Sequence, residues 1–382
     1  MKILFITGIN AFGGQEVFLL QLAKELNKHE YEVHVVIPPN QRIINLANNL
    51  GLEYYLLNFS SHYDINTLIY LIRLIRTKNY GIIHTHGTRG GYYGRLASRI
   101  ARPKAKLVHH MYVPTHLITA GDSGEPGSLG KFRGKVYLLI ERILAARTHK
   151  ILTVSNHLMQ YAIEYLGVTD SKIDIVYNTS IRSADILDRS SIDEINKSRE
   201  EESFTMLFAG KFVYQKGLTF LIDSLARIKN KNDLDDFHLI LCGDGALSEK
   251  LHQQIKESDL QDNVDFVGWQ NTIDPYFRSC DCLVISSLWE GIPLVILEAM
   301  SYGRAVIATR VSGIPEAVIH RKNGLLVNPR DTDGFADSIL ECMNNRNLVY
   351  KMGIKGAYIC SEKFTLEDST NKVIEIYKSL VT

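Results

Sequence analysis

The sequence predicts an α/β protein built from two similar domains, each around a parallel sheet. The chain has 382 residues, whereas a single hydrophobic core usually stops growing at about 250–300 residues. Each half begins with a buried strand, a glycine-containing loop, an amphipathic helix and a second strand, an order that predicts parallel pairing and right-handed crossovers. A segment at 183–203, rich in Asp, Glu, Ser, Lys and Arg, separates the halves.

Composition limits the possible partners and location. Lys and Arg number 43 against 42 Asp and Glu, so the formal charge of +1 predicts no global attraction to nucleic acid. The five cysteines lack C-x-x-C or zinc-finger spacing, which favours reduced thiols in the cytoplasm. The first eight residues carry one basic residue and a short apolar run, so they predict a strand and not a signal peptide. No segment reaches the ~18 apolar residues of a membrane span.

The first half opens with a strand at 2–7, a glycine-rich loop, a helix at 16–26 and a strand at 31–37. The loop has the glycine spacing of a P-loop, but Gly14-Gln15 stands where Lys and Ser or Thr are required, so an ATPase site is not predicted. The loop therefore either lets a ligand approach the backbone or only makes the turn.

Histidines follow or end the next two strands, at 82–87 and 106–110. Ligands of open parallel sheets bind beyond the carboxyl ends of strands, which makes His86, His109 and His110 candidates for a site. A strand-end histidine is more often a hydrogen-bonded structural residue, so both interpretations stay open. No carboxylate accompanies His84 and His86, and a metal site is not predicted there.

A loop-like segment at 119–130 leads into a basic helix predicted at 131–150, with six Lys or Arg against one Glu. Lys131, Lys135 and Arg142 lie beside an apolar arc on the helical wheel. This helix either packs its apolar arc on the sheet with a solvated basic flank, which we prefer, or lies on an anionic membrane. The arc consists of Phe132, Val136, Leu139, Ile140 and Ile143. Strands follow at 151–155 and 173–177, and Ser155 is a natural helix N-cap.

The second half repeats the plan with a strand at 205–209, a loop at 210–217 and a helix at 218–228. Further predicted elements are strands at 237–241, 264–268, 282–285, 305–309 and 324–327, and a final amphipathic helix at about 366–380. Asp331-Thr332-Asp333 predicts a turn with a helix N-cap and not a manganese site. No metal site is predicted anywhere in the chain.

The segment 286–303, SSLWEGIPLVILEAMSYG, carries the strongest signal for a ligand. Pro293 suits the first position of a helix, which places Glu290 before the helix and Glu298 in its second turn. A helix N-terminus attracts phosphate, and carboxylates on either side of it can hold sugar hydroxyls. By itself, the segment also fits an ordinary strand, turn and helix with two surface acids.

Two lysines in the loop at 210–217 strengthen the nucleotide-sugar interpretation. Lys211 and Lys216 follow a strand and directly precede a helix, where two ammonium groups can neutralise a diphosphate without a metal. Surface lysines of a loop are more often only solvated, so the interpretation depends on the other motifs.

Taken in order, the motifs resemble the retaining glycosyltransferases of family 4, whose GT-B architecture has two facing Rossmann-like domains and an interdomain cleft. Glu290 and Glu298 look like the E-x(7)-E signature of the family, and 210–217 resembles its G-[RK]-x…K-G segment. The glycine-rich loop 13–16 looks like the amino-terminal loop of the family. Weaker matches are HTHG at 84–87, TVS at 153–155, CGDG at 242–245, GIPE at 313–316 and GLLV at 324–327.

The resemblance implies donor-side roles for the matching residues. Glu298 would bind the nucleotide ribose, and Glu290 would contact the donor sugar at the catalytic centre. Lys211 and Lys216 would bind the diphosphate, with Lys216 also acting in catalysis. The other donor-binding residues implied are Gly210, Gly243, Gly291, Ile292, Pro293 and Leu294.

The first domain would supply the acceptor side and a histidine beside the reacting sugar. That histidine matches His110 or His109, and spacing favours His110. The acceptor or phosphate loop would comprise Gly13, Gly14, Glu16 and His86. Two positions depart from the family: Lys211 stands where Arg is usual, which keeps the charge but loses the two-donor fork, and Asn178-Thr179-Ser180 replaces Asn-Gly.

The implied activity is transfer of a sugar from a nucleotide-diphosphate donor, with UDP or GDP expected, to a glycan or lipid-linked acceptor of cell-surface polysaccharide or lipopolysaccharide. Anomeric configuration would be retained, without a metal or another cofactor. Expected domains are 1–180, a linker at 181–203, and 204–365, with the helix 366–382 returning to the first domain. The expected location is cytoplasmic, with peripheral membrane contact through 131–150 as an addition. A sugar-nucleotide epimerase and a non-catalytic binding partner are the alternatives.

Overall fold

The computed structural model describes residues 1–8, 10, 12–59, 64–101, 104–114, 128–179, 187–197, 203–232 and 236–381. These residues form two compact units. The first unit contains the described residues of 1–114, 128–179 and 366–381, and the second contains those of 187–365.

The first unit is built on a seven-stranded parallel sheet with helices on both faces. Its strands are β1 (Lys2–Thr7), β2 (Glu32–Ile37), β3 (Glu53–Leu56), β4 (Ile82–His86), β5 (Lys106–Met111), β6 (Lys150–Thr153) and β7 (Ile173–Ile175). The sheet order is β3-β2-β1-β4-β5-β6-β7. Its first helices are α1 (Gly14–Asn27), α2 (Gln41–Asn49), α3 (Ile65–Lys78), α4 (Gly87–Ala101), α5 (Ser128–Ala146) and α6 (Asn156–Leu166).

The second unit has a six-stranded parallel sheet. Its strands are β8 (Phe204–Ala209), β9 (Phe237–Cys242), β10 (Val264–Gly268), β11 (Cys282–Ile285), β12 (Ala305–Thr309) and β13 (Gly324–Val327), in the order β10-β9-β8-β11-β12-β13. Its helices are α7 (Arg189–Lys197), α8 (Leu218–Asn232), α9 (Ser248–Glu257), α10 (Asp274–Ser279), α11 (Leu294–Ser301), α12 (Ile314–Ala317), α13 (Thr332–Asn344) and α14 (Arg346–Lys363). The last helix, α15 (Leu366–Val381), belongs to the first unit and packs on α1.

Burial on both sheet faces explains why central strands such as β1 and β12 are nearly continuous apolar runs. In β1, every residue after Lys2 is buried. One face packs against α1 and α15 through residues such as Phe5, Phe18 and Val373, and the other packs Leu4 and Ile6 against α3 and α4. The predicted α/β class with two Rossmann-like parallel sheets is confirmed.

Local capping also agrees with the sequence. The Leu158 N–H donates to Ser155 Oγ at 3.1 Å, which starts α6, and the Gly334 N–H donates to Asp331 Oδ1 at 2.9 Å in the first turn of α13. Ser155 and Asp331 are therefore N-caps, as predicted.

Most predicted bounds differ from the structure by a few residues, and three of the differences concern α5, α11 and the segment that separates the two halves in sequence. The helix predicted at 131–150 ends at Ala146, because the His149 N–H donates to Leu107 O and aligns the chain with β5. Pro293 is the N-cap of α11, with ψ 128°, so the helix begins one residue later at Leu294. The segment 181–203, predicted as a linker, contains α7, whose Ile192 is buried.

Candidate active site

Topology places one candidate site in the second unit. β8 and β11 are neighbours, and the direction in which strands are added reverses between them. Loops that leave the carboxyl ends of such a pair form the crevice where open α/β sheets bind ligands. The two loops are 210–217 after β8 and 286–293 after β11, which contain most of the predicted donor-binding residues.

Hydrogen bonds join these two loops. The Ser286 hydroxyl donates to Lys216 O at 2.9 Å, and the Leu288 N–H donates to Gln215 O at 2.7 Å. The Gln215 amide donates in return to Trp289 O at 2.9 Å. These hydrogen bonds fix the backbone position of Lys216 relative to the turn before α11.

Two glycines permit close contacts of the loop after β8 with its neighbours, Gly217 with the loop after β11 and Gly243 with the loop after β9. Gly217 has φ +63°, and a Cβ there would lie 2.1 Å from Ser286 O. A Cβ on Gly243 would lie 1.9 Å from Gly210 O, and the Gly210 N–H donates to Cys242 O at 2.9 Å. A side chain at Gly217 or Gly243 would thus push the loops apart. Gly210 and Gly243, both predicted on the donor side, bring the β8 and β9 loops into contact.

The charged centre of this site is an ion pair that spans 74 residues of sequence. Lys216 Nζ lies 2.5 Å from Glu290 Oε1, with the side chains 19% and 8% exposed. The Ser287 hydroxyl donates to the same Glu290 oxygen at 2.9 Å, and the Glu290 N–H donates to Ser312 Oγ at 3.2 Å. Lys211 is exposed. Sequence reasoning missed Ser287 and Ser312, although Ser287 stands beside the E-x(7)-E signature.

The start of α11 completes the site. Gly291, Ile292, Pro293 and Leu294 are buried in the turn and first helical residue, and Glu298 is half-buried one turn later. Free N–H groups in the first turn of a helix attract an anion. The structure thus brings the predicted donor residues of both loops together at one switch point, while their individual roles stay predictions.

The corresponding switch point of the first unit lies between β1 and β4. The predicted acceptor loop leads into α1, which begins at Gly14 with Gly13 as its N-cap. Glu16 is only 2% exposed, and the Thr7 hydroxyl lies 3.5 Å from its carboxylate. His86 is the last residue of β4 and is fully buried.

His86 is one of three histidines packed together on one face of the first sheet. His84 is two residues away on β4, and His110 is the direct neighbour of His86 on β5. The His86 ring centroid lies 4.2 Å from that of His84 and 5.5 Å from that of His110. Burial lowers the pKa of His84 and His86 well below the usual value and that of His110 to about 3, so all three rings are neutral.

His109 points to the opposite face. Its Nδ1 lies 2.9 Å from the Thr85 hydroxyl, and its Nε2 lies 3.8 Å from Glu141. Arg95 donates to both Glu141 oxygens at 2.7 and 2.6 Å. His109 and His110 are thus enclosed on different faces of the first sheet. The predicted position of one of them beside the reacting sugar stays a prediction.

Comparison with protein families decides the class of this molecule. Residues 12–179 match the model of Glycosyltransferase Family 4, and residues 203–345 match the model of Glycosyl transferases group 1. The two models thus cover most of both units. The chain belongs to glycosyltransferase family 4. The resemblance predicted from the ordered motifs is confirmed.

Several relatives of this glycosyltransferase align over most of its length. A 41.2 kDa protein in the cps region of Klebsiella pneumoniae is 28% identical over 92% of this chain and 93% of its own. The UDP-Gal:alpha-D-GlcNAc-diphosphoundecaprenol alpha-1,3-galactosyltransferase of Escherichia coli is 26% identical over 76% of this chain and 73% of its own. The crystal structure of Anabaena Alr3699/HepE in complex with UDP and glucose has a TM-score of 0.82 at 22% identity, covering 99% of this chain and 100% of that chain, which shows a shared fold.

Proposed function

We propose that this glycosyltransferase moves a sugar from a UDP-sugar to a glycan or lipid-linked acceptor in the synthesis of a surface polysaccharide. The observation that carries the proposal is the Lys216–Glu290 pair beside the start of α11, at the switch point of the second sheet. The names of the E. coli relative and of the Anabaena complex support UDP as the nucleotide. The former name also supports a lipid-linked diphosphate acceptor.

Lys216 and the first turn of α11 would supply the electrostatic part of the mechanism. Negative charge develops on the diphosphate as the glycosidic bond breaks, and an ammonium group and free N–H groups stabilise it there without a metal. When Lys216 turns toward the diphosphate, Glu290 keeps the hydrogen bond from Ser287. The Glu290 carboxylate can then accept hydrogen bonds from hydroxyl groups of the donor sugar. Glu298 would accept hydrogen bonds from the ribose hydroxyl groups.

Retention of configuration would follow from attack on the same face of the sugar. The acceptor oxygen forms the new bond to the anomeric carbon as the bond to the diphosphate breaks. The leaving phosphate oxygen takes the proton of the acceptor hydroxyl, so that atoms and charges balance. This route assigns the chain the tasks of orienting the donor and stabilising the leaving group.

A panel of nucleotide sugars tests the donor side first. We expect UDP and one UDP-sugar to raise the melting temperature more than GDP compounds do. Transfer from that donor to a lipid-diphosphate glycan should persist in EDTA, and NMR should show a product with the anomeric configuration of the donor. Interconversion of two nucleotide sugars without acceptor would instead indicate an epimerase. Tight donor binding without transfer to any acceptor would indicate a non-catalytic partner.

The position of α5 supports a peripheral contact with an anionic membrane. Phe132, Val136, Leu139 and Ile143 are 64%, 37%, 59% and 49% exposed, and their spacing places them on one face of the helix. The preferred prediction, that this arc packs on the sheet, is therefore wrong. The opposite face of α5 packs inward, because Glu141 is held there by Arg95.

The basic residues beside the exposed apolar face of α5 indicate an anionic partner. Arg133, Lys135 and Arg142 flank it and are exposed, whereas Glu141, the helix's acidic residue, is buried in its pair. An apolar stripe with basic flanks suits the interface of an anionic bilayer, into which such helices insert shallowly. Among the described helices, none is long and apolar enough to cross a membrane.

Vesicle sedimentation tests this contact. We expect the protein to sediment with phosphatidylglycerol vesicles at low salt, and the double variant Leu139→Ser/Ile143→Ser to lose most of that binding. A matched control replaces Ile65 and Ile69, which are 61% and 39% exposed on α3, by Ser and should sediment like the wild type. Equal sedimentation of both double variants would contradict a contact through α5.

A further inference from the structure

The histidine cluster of the first unit contains ring nitrogens with no hydrogen-bond partner among the described residues. These are Nε2 of His84 and Nε2 of His86. The His110 ring lies beside the Val176 backbone, but neither of its nitrogens has a hydrogen bond of ordinary geometry. All three side chains are fully buried. One potential ligand atom from each lies within 4.8 Å of the others. Buried polar atoms nearly always have a hydrogen-bond partner or a ligand. Several buried ring nitrogens without one, all in the same place, therefore indicate that a bound partner belongs there.

Two tyrosines engage the other nitrogens of this cluster. His84 Nδ1 lies 2.6 Å from the Tyr377 hydroxyl, and His86 Nδ1 lies 2.9 Å from the Tyr112 hydroxyl. Histidines that bind metals donate the N–H of their other nitrogen to an oxygen acceptor, which fixes the tautomer. If Nδ1–H donates to the tyrosine oxygen, each Nε2 keeps a free lone pair.

Sheet geometry brings the third ligand to the first two. Residues i and i+2 of a strand share a face, which places His84 and His86 side by side. Parallel register then pairs His86 with His110 on the next strand. Phe18 lies edge-on to His110 at 5.7 Å, and Phe5 packs on His84 at 4.9 Å, so the cluster has an apolar enclosure.

We propose that His84, His86 and His110 bind a late first-row divalent cation, with Zn²⁺ as the expected ion. Imidazole nitrogens suit such ions, and three histidines leave one tetrahedral position for water. Bonds of about 2.0–2.1 Å would draw the ligand atoms to roughly 3.3 Å from one another, which requires small side-chain rotations. Glu16, buried near the Tyr112 hydroxyl, would offset part of the added charge.

The ion would stabilise the first unit. The bound ion would join β4 to β5 directly. It would also connect these strands to α15, because His84 contacts Tyr377, which lies 293 residues later in the sequence. The sequence analysis predicted no metal here, because no carboxylate accompanies His84 and His86. The third ligand becomes visible only with the strand register.

The test measures metal content and stability of the full chain without an affinity tag. We expect about one zinc per chain after purification, with EDTA lowering the melting temperature and Zn²⁺ restoring it. At Zn²⁺ about 100-fold above the dissociation constant, the rise should be roughly 5–10 °C. Co²⁺ in place of Zn²⁺ should give the visible absorption of a tetrahedral site.

Three variants assign the response to this cluster. His110→Phe should abolish the shift, and Tyr112→Phe should weaken Zn²⁺ binding about 10–100-fold while keeping every ligand. His29→Gln alters an exposed histidine of a turn and should behave like the wild type. The proposal is overturned if the wild type binds no stoichiometric Zn²⁺, if His110→Phe or Tyr112→Phe binds it equally well, or if a crystal grown with Zn²⁺ shows an ordered water only.

Discussion

An acid–base pair in each unit joins parts of the chain that are distant in sequence, and these two pairs differ in burial and geometry. In the first unit, Arg95 and Glu141 make two parallel hydrogen bonds with side chains 1% and 5% exposed. In the second unit, Lys216 and Glu290 make a single contact with side chains 19% and 8% exposed. The first pair is closed to a ligand, whereas the second faces the crevice of its sheet.

This difference distinguishes an ion pair that holds two helices together from an ion pair that can bind a ligand. A rigid two-donor fork around a buried carboxylate holds α4 and α5 together and leaves neither group free for chemistry. A flexible lysine with partial exposure can exchange its partner for a phosphate. The pair of the first unit therefore fixes the packing of two helices, whereas the pair of the second unit lies at the switch point of its sheet.

The largest expected loss of stability comes from breaking the Arg95–Glu141 pair of the first unit. Glu141→Ala leaves the Arg95 guanidinium buried without its carboxylate and should lower the free energy of unfolding by about 3–5 kcal/mol. Urea denaturation measures this loss. The double variant Arg95→Met/Glu141→Leu should recover most of it, because an apolar pair can replace a buried ion pair. No recovery would show that the pair does more than fill and fix the interface.

Two glycines with similar backbone angles sharpen the comparison. Gly217 (φ +63°) would place a Cβ 2.1 Å from Ser286 O, whereas Gly167 (φ +67°) has nothing within 4 Å of that position. Gly217→Ala should cost about 2–5 kcal/mol and weaken UDP binding, because it separates the two donor loops. Gly167→Ala should cost about 1–2 kcal/mol and leave UDP binding unchanged. Equal losses in the two variants would mean that the loop contact is not required.

The smallest expected effects come from the helix caps. Ser155→Ala in the first unit and Asp331→Ala in the second should each lower the free energy of unfolding by about 0.5–2 kcal/mol. Neither should change donor use, because both residues only satisfy backbone N–H groups. A loss of Mn²⁺-dependent activity in Asp331→Ala would contradict the cap assignment.

Local sequence signals account for much of the fold. Continuous apolar runs bounded by polar residues and turns gave the bounds of β11, β12 and β13 correctly, because every residue of these strands is buried. The bounds of β10, a partly exposed edge strand, were also correct. The segment around α2, β3 and α3 was not predicted. β3 is an edge strand of four residues with partial exposure, so no buried apolar run marks it. α2 and α3 are amphipathic, and sequence reasoning missed a periodicity that the sequence does contain.

Long-range packing explains what the sequence could not show about the candidate sites. The family motifs named Lys216 and Glu290 separately, but only the fold shows that they contact each other. The direction of the apolar face of α5 depends on the Arg95–Glu141 pair, which joins residues 46 apart. Likewise, His110 reaches His84 and His86 through strand register.

The central claim is that Lys216 holds the diphosphate of the donor, and titration calorimetry with UDP tests it most directly. Lys216→Ala should weaken UDP binding about 10–100-fold, since one charge-assisted hydrogen bond contributes ~1.5–3 kcal/mol. Its free energy of unfolding should fall less than that of Glu141→Ala, because Lys216 is partly exposed and Glu290 keeps the hydrogen bond from Ser287. Lys78→Ala, an exposed lysine at the end of α3 in the first unit, serves as the control. Unchanged UDP affinity in Lys216→Ala would contradict the account.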